Sequence, residues 1–455
     1  MEHQLLPDIE RVHFVGIGGS GMSPLAEILH SLGYRITGSD VNESDNLARM
    51  RRLGIAVSMP QKAENIGDAQ LVVYTAAVRE DNPELVTAKE RNIPLMERAV
   101  LLGLLSRQFQ NTIAVAGTHG KTTTSSMLSH ILLTAEKDPS VFIGGRLPLI
   151  DANGRAGSTD TFVCEACEFK DHYLQMTPAV SIILNVDADH LDYFGDLNGV
   201  IASFRKFATQ TTGTLIVNAD DPETLQAVDG LTHATVIRYG ANIQNEWSAQ
   251  NIVMQNGSYG QYDLYHNGKF ATAVTLGVPG KHNVFNSLAA AAAAWMCGVS
   301  YDKIADGIAD FHGAGRRFEF LGEVNGVTFV DDYAHHPTEI AATLAAAKAL
   351  PYKRVWAVFQ PFTYSRTARH LDEFAEALSA ADEVIVSDIM GSREVNEWNV
   401  SSKDITDRID GAHHLPTFDD ICRFVCEHVQ EGDLVLTMGG GDVYKCARMM
   451  KNKLA

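Results

Sequence analysis

The chain is 455 residues long, too long for one ordinary core, and at roughly 150 residues per domain it predicts about three domains. Apolar residues make up 45% of it, and 37 basic against 56 acidic side chains leave a formal charge of −19. The apolar content excludes a disordered chain, and the charge repels nucleic-acid phosphates and anionic membranes. No nucleic-acid partner and no membrane insertion are expected, and an anionic ligand must be gripped locally by backbone amides, a few cations or metal ions.

The first residues, MEHQLLPDIERVHF, have neither the basic nor the apolar region of a signal peptide, so a cytoplasmic protein is expected. From Val12 to Leu29 the chain reads VHFVGIGGSGMSPLAEIL: an apolar strand, a glycine-rich turn and an amphipathic helix. With Asp40 closing the next strand-like run, this is the dinucleotide fingerprint, in which glycines let a pyrophosphate approach a helix N-terminus. Taken alone it predicts NAD and a dehydrogenase. Strand-like and helix-like runs alternate to residue 107, the pattern of a parallel sheet with helices on its faces.

A second unit opens with NTIAVAGTHGKTTTSSMLSHIL. Gly117, Thr118, His119, Gly120, Lys121, Thr122 and Thr123 depart from the strict phosphate loop, whose first glycine would fall on Val115. The chemistry survives: N–H groups at a helix start, Lys121 to reach the β- and γ-phosphates, and Thr122 to ligate magnesium. Magnesium needs oxygen-rich ligands, and two clusters follow strand-like runs. Glu165 and Glu168 stand in VCEACEFKDHYL, and Asp187, Asp189, His190 and Asp192 in ILNVDADHLDYF. Solvated loop charge is the competing reading.

Cys164 and Cys167 form one isolated C-x-x-C, and the six cysteines are expected to be structural thiols. Asn-Gly pairs at 256–257 and 267–268, within alternating sequence, predict an antiparallel meander. LAAAAAAWMCGV, from Leu288 to Val299, is too short for a membrane span and predicts a buried helix. After the connector FHGAGRRFEFLG a third α/β alternation runs to the end. The predicted fold is therefore α/β in three domains: an N-terminal Rossmann-like parallel sheet (1–107), a central P-loop-type ATPase domain with an added antiparallel meander (108–313), and a C-terminal Rossmann-like domain (314–455).

GTHGKTTT, EACE, NVDADHLDYF, VPGKHNVFNSLAAAAAA, GAGRRFE and DDYAHHPTEI, taken in order, resemble the Mur ligase family. With GIGGSGMSPLAEIL in front and FQPFTYSRT, DIMGSRE and LTMGGGD behind, the resemblance covers nearly the whole chain, and it is nearest to the branch that joins L-alanine to UDP-N-acetylmuramate. It implies that ATP phosphorylates the muramate carboxylate and that the alanine amine displaces phosphate. It implies two magnesium ions, with manganese as a substitute, and small-molecule partners only.

Residue by residue, the resemblance implies that Lys121 stabilises the transferring phosphoryl group, that Thr122 and Glu165 hold the first metal, and that His190 holds the second. His282, Asn286, Asp332 and Arg317 join the ATP site, Arg317 as its catalytic arginine. Gly18, Gly19, Ser20, Gly21, Met22, Asp40, Thr75, Ala76, Ala77, Arg98 and His335 take the UDP-sugar, and Arg366 and Arg393 the amino-acid carboxylate. Two departures stand out: Cys167, Phe169 and Lys170 where the family often reads E-A-D-E-S-D, and Phe362 where histidine is common. A ligase that adds a preassembled peptide to the same sugar would share most of these motifs. A dehydrogenase would leave Lys121, Glu165 and His190 without a purpose.

Overall fold

The apolar runs of the first hundred residues form a parallel sheet of β1 (Arg11–Val15), β2 (Arg35–Ser39), β3 (Ala56–Ser58), β4 (Leu71–Tyr74) and β5 (Leu95–Glu97), ordered β3-β2-β1-β4-β5. β1 is buried on both faces, as strands of covered parallel sheets are. His13 is tolerated there because its ring is bonded on both sides, to Thr37 at 2.8 Å and to the buried Glu84 at 3.3 Å. Strand order reverses around β1, so the first glycine loop opens at a topological switch point, where such sheets bind ligands. The computed structural model describes residues 5–75, 78–256, 258–392 and 394–455. Ala76, Ala77 and Arg393, all expected in ligand sites, lie outside the described residues.

The second sheet has ten strands. They are β6 (Asn111–Ala116), β7 (Ser140–Leu147), β8 (Ala152–Arg155), β9 (Thr161–Glu165), β10 (Val180–Ile183), β11 (Thr214–Asn218), β12 (Thr235–Gly240), β13 (Trp247–Gln255), β14 (Tyr259–His266) and β15 (Lys269–Pro279). Their order is β15-β14-β13-β12-β11-β10-β6-β9-β7-β8. β6 lies parallel between β9 and β10, which brings three carboxyl ends side by side. The meander expected around the Asn-Gly pairs is β13 to β15. Asn267 and Gly268 both have positive φ, 51° and 69°, the backbone of a type I′ hairpin turn.

The third sheet comprises β16 (Glu319–Val324), β17 (Val327–Asp332), β18 (Val355–Phe359), β19 (Glu383–Val386), β20 (His413–His414) and β21 (Leu434–Met438), ordered β16-β17-β21-β18-β19-β20. Only β16 runs antiparallel to its neighbour. The fold is thus the expected α/β class, with a parallel N-terminal sheet, a large central sheet and a C-terminal sheet.

The chain packs as two units. One holds the chain up to Gln250 with Asp263–Ala273 and Phe285–Ile308, and the other holds Asn251–Tyr262, Val274–Val284 and Ala309–Ala455. The alanine run lies in helix His282–Met296, where Ala289 to Ala294 are buried as expected, but Trp295 and Met296 at its end are exposed. Among the described residues no helix is long and apolar enough to cross a membrane. All six cysteines are free. Burial pushes the Cys167 thiol up to about 11, which keeps it protonated and poorly reactive.

Candidate active site

In the first unit, Gly16 and Ile17 donate their N–H groups to the Ser39 carbonyl at 2.8 and 3.0 Å, which fixes the first glycine loop to the end of β2. The Asp40 carboxylate accepts the Gly18 N–H at 2.9 Å and the Val41 N–H at 2.7 Å, so it braces the loop from within. Asn46, which sequence reading missed, donates to the Gly18 carbonyl at 3.0 Å. Gly19 and Ser20 are exposed at the loop tip, and Met22 is buried just before helix Ser23–Ser31. Gly21 faces the Arg98 side chain so closely that a Cβ there would lie 2.9 Å from its Nη1. Thr75 sits beside Gly16, its methyl 3.7 Å from where a Cβ would stand. The loop thus sets its exposed tip, Gly19 and Ser20, close to the Arg98 guanidinium that faces Gly21.

The second glycine loop joins β6 to helix Lys121–Thr134. Gly120 has φ +83°, and a Cβ there would stand 2.9 Å from Asn286 Oδ1, so conformation and space both demand glycine. The strand end after β10 is sewn to this loop. The Asn185 carbonyl accepts the Thr118 N–H at 3.1 Å, its side chain accepts the His119 N–H at 2.8 Å, and the Asp187 N–H donates to the Thr118 hydroxyl at 2.9 Å. His119 also reaches the Asp187 carboxylate at 3.1 Å.

Four chemically active side chains meet where β6 and β9 end. Lys121 Nζ donates to the carbonyls of Gly117 and Thr118 at 2.6 and 2.9 Å and to Glu168 at 3.0 Å. Burial works to lower the lysine's pKa, but the carboxylates of Glu168 and Glu165 more than offset it and hold the ammonium charged. The Thr122 hydroxyl lies 2.9 Å from a Glu165 carboxylate oxygen, which also accepts the Gly144 N–H at 2.8 Å. A Cβ on Gly144 would come within 2.7 Å of Glu165 and 2.9 Å of Thr122, so the glycine keeps that corner open. Thr123 follows in the helix's first turn. His190, in the left-handed region at φ +53°, packs its ring 5.0 Å from that of Phe169, the residue after Glu168.

The remaining predicted residues fall in the second unit, apart from Asn286 beside Gly120. His282 opens helix His282–Met296 one turn before Asn286, and burial lowers its pKa, so the ring is neutral. Arg316 donates to Asp331 at 2.9 Å and to the carbonyls of Gly441 and Gly439 at 2.9 and 2.6 Å, one bond from each guanidinium nitrogen. Arg317 lies over the Tyr333 ring at 4.9 Å. Asp332 is buried and accepts the N–H groups of Phe318 and Ala334, both at 2.7 Å. Burial pushes its carboxyl up to about 6, against the pull of Arg317. His335 bonds the Tyr333 carbonyl at 3.0 Å and Glu339 at 3.2 Å, just ahead of helix Pro337–Lys348. Arg366 lies in the short helix Tyr364–Arg369.

Comparison with known proteins bears on the whole length. Family models match in three consecutive stretches: the Mur ligase family catalytic domain over residues 11–110, the Mur ligase middle domain over 115–294, and the Mur ligase glutamate ligase domain over 316–441. A UDP-N-acetylmuramate--L-alanine ligase of Caldanaerobacter subterraneus subsp. tengcongensis is 45% identical over 446 residues, which cover 97% of each chain. The chain belongs to the Mur ligase family. Among solved Mur ligases, the UDP-N-acetylmuramate-alanine ligase of Thermotoga maritima aligns with a TM-score of 0.83 at 30% identity, over 97% of this chain and 98% of that one. The murein peptide ligase of Psychrobacter arcticus aligns at 0.77 and 26% identity, over 98% of both.

Mur ligases are ATP-dependent and generally use magnesium. The Thr122 and Glu165 oxygens, held together beside Lys121, are the hard donor set that this ion prefers. The first glycine loop therefore belongs to a ligase, and the dehydrogenase reading falls.

Proposed function

We propose that this chain joins L-alanine to UDP-N-acetylmuramate with cleavage of ATP, in the synthesis of peptidoglycan precursors in the cytoplasm. The observation that carries the reading is the Lys121, Thr122, Glu165 and Glu168 cluster on the second glycine loop, in a chain alike over its length to UDP-N-acetylmuramate--L-alanine ligases. The work divides as 1–107 for the UDP-sugar, 108–313 for ATP, and 314–455 for contributions to ATP and the amino acid.

A carboxylate resists amines because its oxide is a poor leaving group, so activation comes first. The muramate carboxylate attacks the γ-phosphorus, the bond to the β-phosphate oxygen breaks, and ADP leaves. The alanine nitrogen then attacks the acyl carbon and loses a proton, and the bond to the phosphate oxygen breaks to leave the amide. Lys121 offers a permanent positive charge to the transferring phosphoryl group, and the loop N–H groups orient the polyphosphate. Thr122 and Glu165 would hold one magnesium ion and His190 a second, with manganese as a substitute. Those ions neutralise charge on the phosphoryl oxygens when bound. Gly18 to Met22 and Arg98 grip the diphosphate of the sugar nucleotide, with Asp40 bracing the loop. Arg317 meets a phosphate, and Arg366 and Arg393 grip the amino-acid carboxylate, a task suited to planar guanidinium forks.

Phosphate release in the presence of ATP, magnesium and UDP-N-acetylmuramate should depend on L-alanine. In Lys121→Ala it should fall by roughly 10²-fold or more, while UDP-sugar binding stays measurable by calorimetry. Release that needs neither sugar nor alanine, or that responds to a peptide in place of alanine, would overturn the reading.

A further inference from the structure

The segment that carries Arg366 turns through a residue in a region reserved almost entirely for glycine. Thr363 has φ +70° and ψ 141°, and its β-branched side chain makes that conformation costlier still. A strained residue persists only where its surroundings over-determine it, and here the neighbouring loop does so. The Thr363 N–H donates to the Met390 carbonyl at 3.0 Å, and the Met390 N–H donates to the Pro361 carbonyl at 2.9 Å. The Thr363 carbonyl accepts the N–H of Thr367 at 3.2 Å and its hydroxyl at 2.8 Å. The third fastening is Glu394, whose carboxylate accepts the Ser365 N–H at 2.8 Å with one oxygen and the Ser365 hydroxyl at 2.5 Å with the other.

We propose that Glu394 is a positioning residue for the incoming amino acid: by clamping Ser365 it holds the strained Thr363 turn and so sets the direction in which Arg366 leaves the backbone. The inference rests on the assignment of Arg366 to the amino-acid carboxylate. Both carboxylate oxygens are engaged by Ser365, so Glu394 acts through its neighbours rather than on the substrate. Ser365 supplies one of the N–H groups that a helix start leaves unpaired, and a carboxylate is its strongest acceptor. One side chain thus ties its own loop to the segment that carries Arg366, and a grip on a small carboxylate needs the direction of that arginine fixed.

The test is steady-state kinetics of the full chain in Glu394→Ala, Glu394→Gln, Arg366→Ala, Thr363→Gly and the Thr363→Gly/Glu394→Ala double variant. Glu394→Ala should raise the KM for L-alanine about tenfold or more, with the KM values for ATP and the UDP-sugar unchanged. Glu394→Gln, which keeps one acceptor oxygen, should fall between. The double variant should regain part of the loss, because glycine holds the bend without a clamp. KM values for all three substrates rising together, or an unchanged KM for L-alanine in Glu394→Ala while Arg366→Ala loses alanine saturation, would overturn the proposal. An unchanged KM for L-alanine in Arg366→Ala would instead sink the assignment of Arg366, and the proposal with it.

Discussion

Asp332 shows how a single buried side chain can set a pH dependence. Its carboxyl is raised by burial to about 6 from an ordinary 3.8, so the folded chain favours the protonated form. The contribution to stability is fully present below the unfolded pKa and is lost as pH rises through the folded value; the span from 3.8 to about 6 corresponds to about 3 kcal/mol at most. Asp332→Asn cannot ionise. Its melting midpoint relative to the parent should therefore climb between about pH 4 and pH 6 and level off above. A difference that stays constant across that range would mean that Asp332 does not titrate there. Arg316 makes the complementary point. Its guanidinium is tied to Asp331 and two backbone carbonyls, whereas Arg317, the arginine expected at the ATP site, lies over the Tyr333 ring.

At the level of elements, the two glycine loops follow one rule: strand, turn, helix start, with glycine wherever backbone or neighbour leaves no choice. Gly120→Ala forces a side chain into the left-handed region and against Asn286. The conformational penalty is about 1–2 kcal/mol, and nucleotide affinity measured by calorimetry should fall at least about tenfold. Retained affinity would mean that the loop rearranges freely.

These loops were legible in the sequence because each is contiguous, with its glycines, lysine and threonine side by side. What stayed hidden are partners supplied by other elements. Asn185 sits in plain view in ILNVDAD, but nothing local says that it holds His119. Gly144 looks like any strand glycine until Glu165 and Thr122 are seen in the space a Cβ would fill. Glu394 reads as surface charge until Ser365 is found on it. Asp40 was legible as a residue for the UDP-sugar site, but not that its carboxylate bonds the loop's own Gly18 N–H.

For the whole molecule, the formal charge of −19 opposes substrates that are themselves anions. The local cations at each loop must overcome that field, and mobile ions screen the long-range part first. Raising the salt from about 0.01 M to 0.15 M shortens the screening length from about 30 Å to 8 Å, so kcat/KM for the UDP-sugar should rise or hold over that interval. A steep fall would show that local attraction dominates at every distance.

Lys121 carries one more consequence. Its ammonium is held by Glu168 and two carbonyls, so an anion brought to this loop meets a rival already in place. On the proposed reading a γ-phosphate does not meet a bare cation; it exchanges for a carboxylate already in place, and binding registers only the difference between two ion pairs. On that reading the same exchange, run backwards, gives Lys121 a partner as inorganic phosphate departs. Under that proposal the loop gives up tightness for turnover, because the buried charge keeps a partner at each stage.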